Sequence, residues 1–105
     1  MLTREQILGA RPVLGSLEVP EWGGAVAIRR IGALDVAALS DEQDSGRRTV
    51  LMVRFGVAAE DGQPLFTAED DAWLAQQPWD LTLRVARAVA EHSGISAPAE
   101  AIAGN

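Results

Sequence analysis

The chain contains no cysteine and no lysine, and it has one histidine, His92. Without thiols there is no disulfide framework, no thiol nucleophile and no Cys/His zinc cluster. Without lysine no P-loop ammonium exists, and Gly23-Gly24 leads into strand residues, so that glycine pair reads as a turn and not a phosphate cradle. A catalytic triad would have only His92 as its base, and that residue falls at the end of an expected helix, where the dipole explains an imidazole on structural grounds. No stretch approaches the roughly 18 consecutive apolar residues of a membrane span. The opening Met1-Leu2-Thr3-Arg4-Glu5-Gln6 puts charge where a secretory signal needs apolar side chains, so an intracellular chain with no membrane contact is expected.

Positive charge is also scarce. Nine arginines face fifteen carboxylates for a net charge of -6, which repels a phosphate backbone and argues against nucleic-acid binding. The best local basic patch is Arg47, Arg48 and Arg54. Arginine as the sole basic residue, with 18 alanines, is what a GC-rich genome encodes and bears on source, not on function.

What is present suits one domain. At 105 residues the chain can bury roughly two-thirds of the surface its unfolded form exposes. Its 48% of hydrophobic residues argues against wholesale disorder. The expected division is a single globular domain over 1–95, made of an N-terminal helix (1–12), a β-hairpin (14–31) and a helical part (33–95), with a weakly ordered tail over 96–105.

Thr3 and Gln6 have capping-box spacing, with Leu2 and Ile7 at the staple positions, which predicts a short helix from Arg4 to about Leu8. Leu17 to Trp22, then Gly23-Gly24, then Ala25 to Ile31 reads as a hairpin with a two-residue glycine turn. That turn sets Val19 opposite Ile28, Glu18 opposite Arg29 and Trp22 opposite Ala25, with Pro20 marking an edge strand. Leu34, Ala37, Ala38 and Asp41 outline the apolar face of a helix from Ala33 to about Asp44, which Asp44-Ser45-Gly46 should break. From Arg47 to Ala59 apolar residues surround the axis. Helix is favoured there on length, although periodicity alone does not exclude a buried strand. Glu60 to Pro64 reads as a turn, Thr67 as the cap of a helix with Glu69, Asp70 and Asp71 in its first turn, and Pro78 as the start of a helix whose face is Leu81, Val85, Ala88, Val89 and His92. Gly94 and Ile95 suit a left-handed helix stop. The fold class expected is α+β, mainly α: an N-terminal β-hairpin packed on a small bundle of four to five helices.

No cofactor and no metal site emerges. The carboxylates at 69–71 lack the alternation of a calcium loop, and helix-terminal charge accounts for them. The chain therefore reads as a non-enzyme that works by binding. Its candidate partner-binding residues are Trp22, Gly23, Gly24, Trp73 and Trp79. An indole at a hairpin tip either anchors an interface or folds back over the sheet. Trp73, Trp79, Phe55 and Phe66 read otherwise as core, and their acidic neighbours argue against base stacking.

Three stretches together resemble the tail assembly chaperones of long-tailed phages and prophages: Met1 to Leu8, the Val19-Pro20-Glu21-Trp22-Gly23-Gly24 turn, and Glu60-Asp61-Gly62 with Leu65-Phe66-Thr67 ahead of the Val85 to Ile95 helix and its Ser93-Gly94-Ile95 stop. The resemblance implies a non-catalytic chaperone that binds the tape measure protein, helps recruit tail tube subunits, works in the host bacterial cytoplasm and is missing from the mature virion. It also implies a longer product made by ribosomal frameshifting that engages the tube protein. The terminal Gly104-Asn105 fits, since the codons GGA AAC after a G form a slippery heptamer. The chain departs from the family pattern in its compact Ser40 to Gly46 connection and in lacking an acidic helix after Ile95. An extended helical client calls for many weak contacts from several copies, so a homo-oligomer is expected. The competing readings are a structural head-tail connector or tail completion protein, and a small DNA-binding regulator or antitoxin using the three arginines.

Overall fold

The computed structural model describes residues 1–95; the expected tail over 96–105 lies outside the described residues. Helix α1 (Arg4–Leu8) begins with the capping box: the Gln6 N–H donates to Thr3 Oγ1 at 3.2 Å and the Thr3 N–H to Gln6 Oε1 at 2.9 Å. The cap forms the helix, yet nothing buries it. Leu2 and Ile7 at the staple positions are 73% and 59% exposed.

Strands β1 (Gly15–Val19) and β2 (Gly24–Ile28) pair antiparallel, with Gly15 opposite Ile28 and Val19 opposite Gly24. The expected register, with Val19 opposite Ile28, is wrong by four residues. Pro20 starts a 3-10 turn over Pro20–Trp22, and Gly23 closes it at φ +90° with its N–H on the Pro20 carbonyl, so the connection is longer than a glycine pair. Because the slip is even, the inward face survives, and Val19 and Ile28 are both buried.

Helix α2 (Ala33–Asp41) starts at Gly32, whose N–H donates to Asp35 Oδ2 at 3.0 Å. Its inward residue is Leu39. The expected face of Leu34, Ala37, Ala38 and Asp41 points to solvent, and Leu34 is 87% exposed. Nor does Asp44-Ser45-Gly46 break a helix. Asp44 starts the next one by accepting the Arg47 N–H on Oδ1 at 2.9 Å, and Ser45-Gly46 form the first turn of α3 (Ser45–Gly56).

The helical reading of the 47–59 run holds as far as Gly56, after which Val57–Ala58 is a strand, β3, beside β2. The cause is remote in sequence: Arg29 donates its N–H to the Gly56 carbonyl at 2.9 Å and its Nη1 to the Phe55 carbonyl at 2.7 Å, drawing the chain out of the helix. The hairpin thus becomes a three-stranded sheet in the order β1-β2-β3, with β1 at an edge.

Beyond β3 the chain turns at Gly62 (φ +86°), as expected, and reaches Thr67, whose N–H donates to Asp70 Oδ2 at 2.8 Å. A 3-10 turn (Ala68–Asp70) leads into α4 (Asp71–Ala75). Pro78 then precedes α5 (Trp79–His92), its carbonyl accepting the N–H groups of Leu81 and Thr82. The expected α5 face is buried at Leu81, Val85 and Val89, while Ala88 and His92 sit half-buried on its flank. The helix ends as foreseen: Gly94 takes φ +84°, and the Ile95 N–H reaches back to the Ala90 carbonyl at 2.7 Å.

The core lies between the sheet and the crossed helices α3 and α5, and Met52, Val53, Val57, Leu74, Val85 and Val89 are fully enclosed in it. The crossing is closest at Gly56, where an added Cβ would run into the Val89 side chain. The architecture is α+β and mainly α.

Candidate functional site

Trp22 resolves its two alternatives through packing. The turn that begins at Pro20 directs the indole toward the helices, where its Nε1–H donates to Gln77 Oε1 at 3.2 Å. There it meets Phe66 edge-on at 6.3 Å between ring centroids and Trp73 at 6.2 Å; Phe66 and Trp73 stand 6.3 Å apart. Three aromatics from the hairpin tip, the loop after β3 and α4 close into a triangle. Trp22 and Phe66 are half-buried and fixed, whereas Trp73 is 50% exposed, so it covers the cluster and faces water on its other side.

Gly23 and Gly24 form the exposed end of the same turn and make no part of the aromatic surface; Gly23 is required there by its left-handed backbone. Trp79 stands apart from the triangle, 57% exposed at the start of α5. Reading Trp73 and Trp79 as core is therefore corrected. Both sit at helix surfaces where the sheet does not reach, although Phe55 and Phe66 do pack against the core. Trp79 lines a recess of about 310 Å³ with Val50, Leu74, Ala75, Gln77 and Thr82, and a second recess of about 390 Å³ continues over Val50, Leu51, Ala68, Ala72 and Ala75, with Arg47 and Glu69 at its sides. Gln77 joins the two neighbourhoods, since it holds Trp22 and also borders the Trp79 recess. Sequence reasoning missed it, and nothing local to Gln77 signals a partner 55 residues away.

The other candidates are committed elsewhere. The His92 Nε2–H donates to the Val13 carbonyl at 3.0 Å, which ties the segment after α1 to α5. The three arginines do not make a patch. Arg47 pairs with Glu42 at 2.7 Å, Arg48 is buried with its Nε–H on the Glu42 carbonyl, and Arg54 lies 3.4 Å from Asp71 under the α3–α4 contact, an ion pair without hydrogen-bond geometry. The hydrogen bond from Arg47 holds the Glu42 carboxyl below its ordinary pKa, and the one from Arg84 does the same for Glu21 beside Trp22. Among the described residues no group of three or more histidine or acidic side chains is arranged to hold a metal ion, and no helix is long and apolar enough to cross a membrane. What the surface offers is shape, aromatic area and negative charge.

No protein-family model matches the chain, and no curated protein matches it. Among solved structures, the tail assembly chaperone of bacteriophage HK97 matches with a TM-score of 0.64 at 16% identity, over 83% of this chain and 94% of that one. At that identity the likeness establishes the fold: the chain has the fold of a phage tail assembly chaperone.

Proposed function

We propose that the chain is a non-catalytic tail assembly chaperone that binds the tape measure protein and helps recruit tail tube subunits while a phage tail is built, the latter through a frameshifted longer product. The observation that carries this reading is the match to almost the whole HK97 chaperone, 94% of its length, so the likeness is to a complete fold and not to a shared fragment. The surface is in keeping with it. Exposed apolar side chains are spread over α1, α2, α4 and the start of α5, among them Ile7, Leu8, Leu34, Trp73 and Trp79, which suits many weak contacts with a long client better than one deep ligand pocket. The same scatter suits self-association of several copies on one client. Arg47 and Arg48 both engage Glu42 and Arg54 faces Asp71, which weighs against a DNA-binding role built on these three arginines.

Co-expression with the tape measure protein tests the proposal. The client is expected to move into the soluble fraction and to co-purify with this chain, and a client that stays insoluble would refute it. Mass spectrometry of purified virions is expected to find none of the chain; its presence at fixed stoichiometry would favour a connector or completion protein instead. Work in the host cytoplasm, a homo-oligomeric state and the longer product belong to the same proposal and are read by fractionation, sedimentation and sequencing of the gene end.

A further inference from the structure

We infer that two copies of this chain join edge to edge through β1, antiparallel and centred on Leu17, an inference that deepens the self-association in the chaperone reading above and rests on it. The sheet has two edges, and the chain closes only one of them. At β3 the returning segment supplies the missing partner: the Leu65 N–H donates to the Val57 carbonyl at 2.9 Å, the Ala59 N–H to the Gln63 carbonyl at 2.8 Å, and Ala58 bridges Pro64. At β1, among the described residues, no hydrogen bond from outside the sheet reaches the main chain of Ser16 or Glu18, and both residues are exposed. The segment ahead of β1 lies elsewhere, with Pro12 against Gly62 in the loop after β3.

Alternation decides which groups are free. Arg29, one residue past β2, donates its N–H to the Gly56 carbonyl, so Ala25 and Ala27, in the same phase, turn their main chain to β3, while Gly24, Val26 and Ile28 turn theirs to β1. Their partners Val19, Leu17 and Gly15 are thereby used, and Ser16 and Glu18 direct N–H and C=O outward. A row of this kind is matched by another extended strand, and not by a helix.

The strand is complementary to itself. Two β1 strands centred on Leu17 set Ser16 opposite Glu18 of the other copy at both ends, where they exchange main-chain hydrogen bonds and each carboxylate stands beside a hydroxyl that donates to it. Shifted one way, the two Glu18 carboxylates oppose each other; shifted the other way, Glu18 meets Leu14, outside the strand. No proline, lysine or bulge within Gly15–Val19 keeps a second strand off. Beneath the edge, half-buried Leu17 borders an open recess of about 560 Å³ with Leu83 and Ala88 of α5. At the centre of this register the two Leu17 side chains approach closely on the recess side and cover each other there. Because α5 lies under both β1 and β2, the two α5 helices would stand roughly three strand spacings, about 14 Å, apart, wider than the about 8–10 Å of packed helices, so they do not collide.

Leu17→Cys tests the register, since the chain has no cysteine of its own. Under oxidation the full chain carrying it is expected to form a covalent dimer, its paired Cα atoms standing about 4.5 Å apart. Glu18→Cys, whose mates stand beyond the roughly 7 Å limit of a disulfide, is expected to cross-link poorly. By sedimentation equilibrium the unaltered chain is expected to be dimeric. Ser16→Glu, which opposes like charges at both ends of the pairing, should raise the dimer Kd about tenfold, and adding Glu18→Arg should restore it to within about twofold. Ser16 is exposed, so its variant keeps the test valid if Leu17→Cys folds poorly. An unaltered chain that stays monomeric, assembly indifferent to Ser16→Glu, or Glu18→Cys cross-linking as readily as Leu17→Cys overturns the inference. Co-expression separates it from the parent proposal. A monomeric chain that still brings the tape measure protein into the soluble fraction removes the edge pairing and leaves the chaperone reading. A dimer with this register that leaves the client insoluble does the reverse.

Discussion

Helices α5 and α2 each read in sequence as having an apolar side, a strong one in α5 and a weak one in α2, and they come to opposite ends. In α5 the residues Leu81, Val85 and Val89 are sealed against α3 and the sheet, while in α2 the stripe of Leu34, Ala37 and Ala38 faces water and Leu39 alone enters the core. The difference lies in what surrounds each helix. α5 runs 14 residues across the middle of the molecule, where α3 and the sheet offer it two surfaces; α2 is a 9-residue connector pinned at one end by Gly32, Arg29 and Asp35 and leaning on α3. Periodicity declares that a helix has an apolar side, and burial needs a neighbour for that side. On the proposed chaperone reading, the uncovered α2 side and the exposed indoles are the surface left for contacts, whereas the α3–α5 crossing belongs to stability.

That division is exposed to experiment, most sharply at the crossing. Gly56→Ala places a methyl group into Val89 and is expected to cost about 3 kcal/mol, at the upper end for overpacking, read by urea denaturation. A cost near zero would mean that α3 and α5 are not tightly packed. On α2, Leu39→Ala should cost about 2 kcal/mol and Leu34→Ala less than about 0.5 kcal/mol by the same measurement; equal costs would erase the contrast between the inner and outer sides of that helix.

At the margin, His92→Ala removes the tether to Val13 and is expected to cost about 1 kcal/mol, with faster amide hydrogen exchange across residues 4–14 and little change in α5. The smallest effect is at Glu21. Its carboxyl is held below the ordinary value chiefly by the hydrogen bond from Arg84, so the stabilisation is present above the unfolded carboxylate pKa and is lost as pH falls through the lower folded one. The Tm difference between the unaltered chain and Glu21→Gln should therefore shrink on acidification through that range. A difference that grows instead would contradict the pairing.

Local chemistry was legible because it depends on neighbours in sequence. The Thr3–Gln6 capping box, the left-handed Gly94 stop, the turn at Gly62, the α5 stripe and the α+β class all follow from short-range hydrogen bonding, backbone freedom and period. The five candidate binding residues were legible only as a composition, large aromatics beside a glycine turn. That Trp22 and Trp73 meet while Trp79 stands apart was not. Errors fell where a local signal had two readings: Asp44-Ser45-Gly46 serves equally as a helix stop or a helix start, and Gly23-Gly24 looks like a complete turn until Pro20 is allowed to begin one.

By itself, then, the sequence determined the caps at Thr3 and Thr67, the stop at Gly94 and which hairpin face turns inward. Only the tertiary structure decided the rest. Arg29 ends α3 and creates β3 from residues 26 and 27 positions away, Gln77 fixes Trp22 from 55 positions away, and the position of the sheet decides which apolar stripe is covered. The physical reason is range. A cap or a turn is settled by atoms within one helical turn of chain, whereas burial and aromatic contact are settled by whichever distant segments the closed core brings alongside.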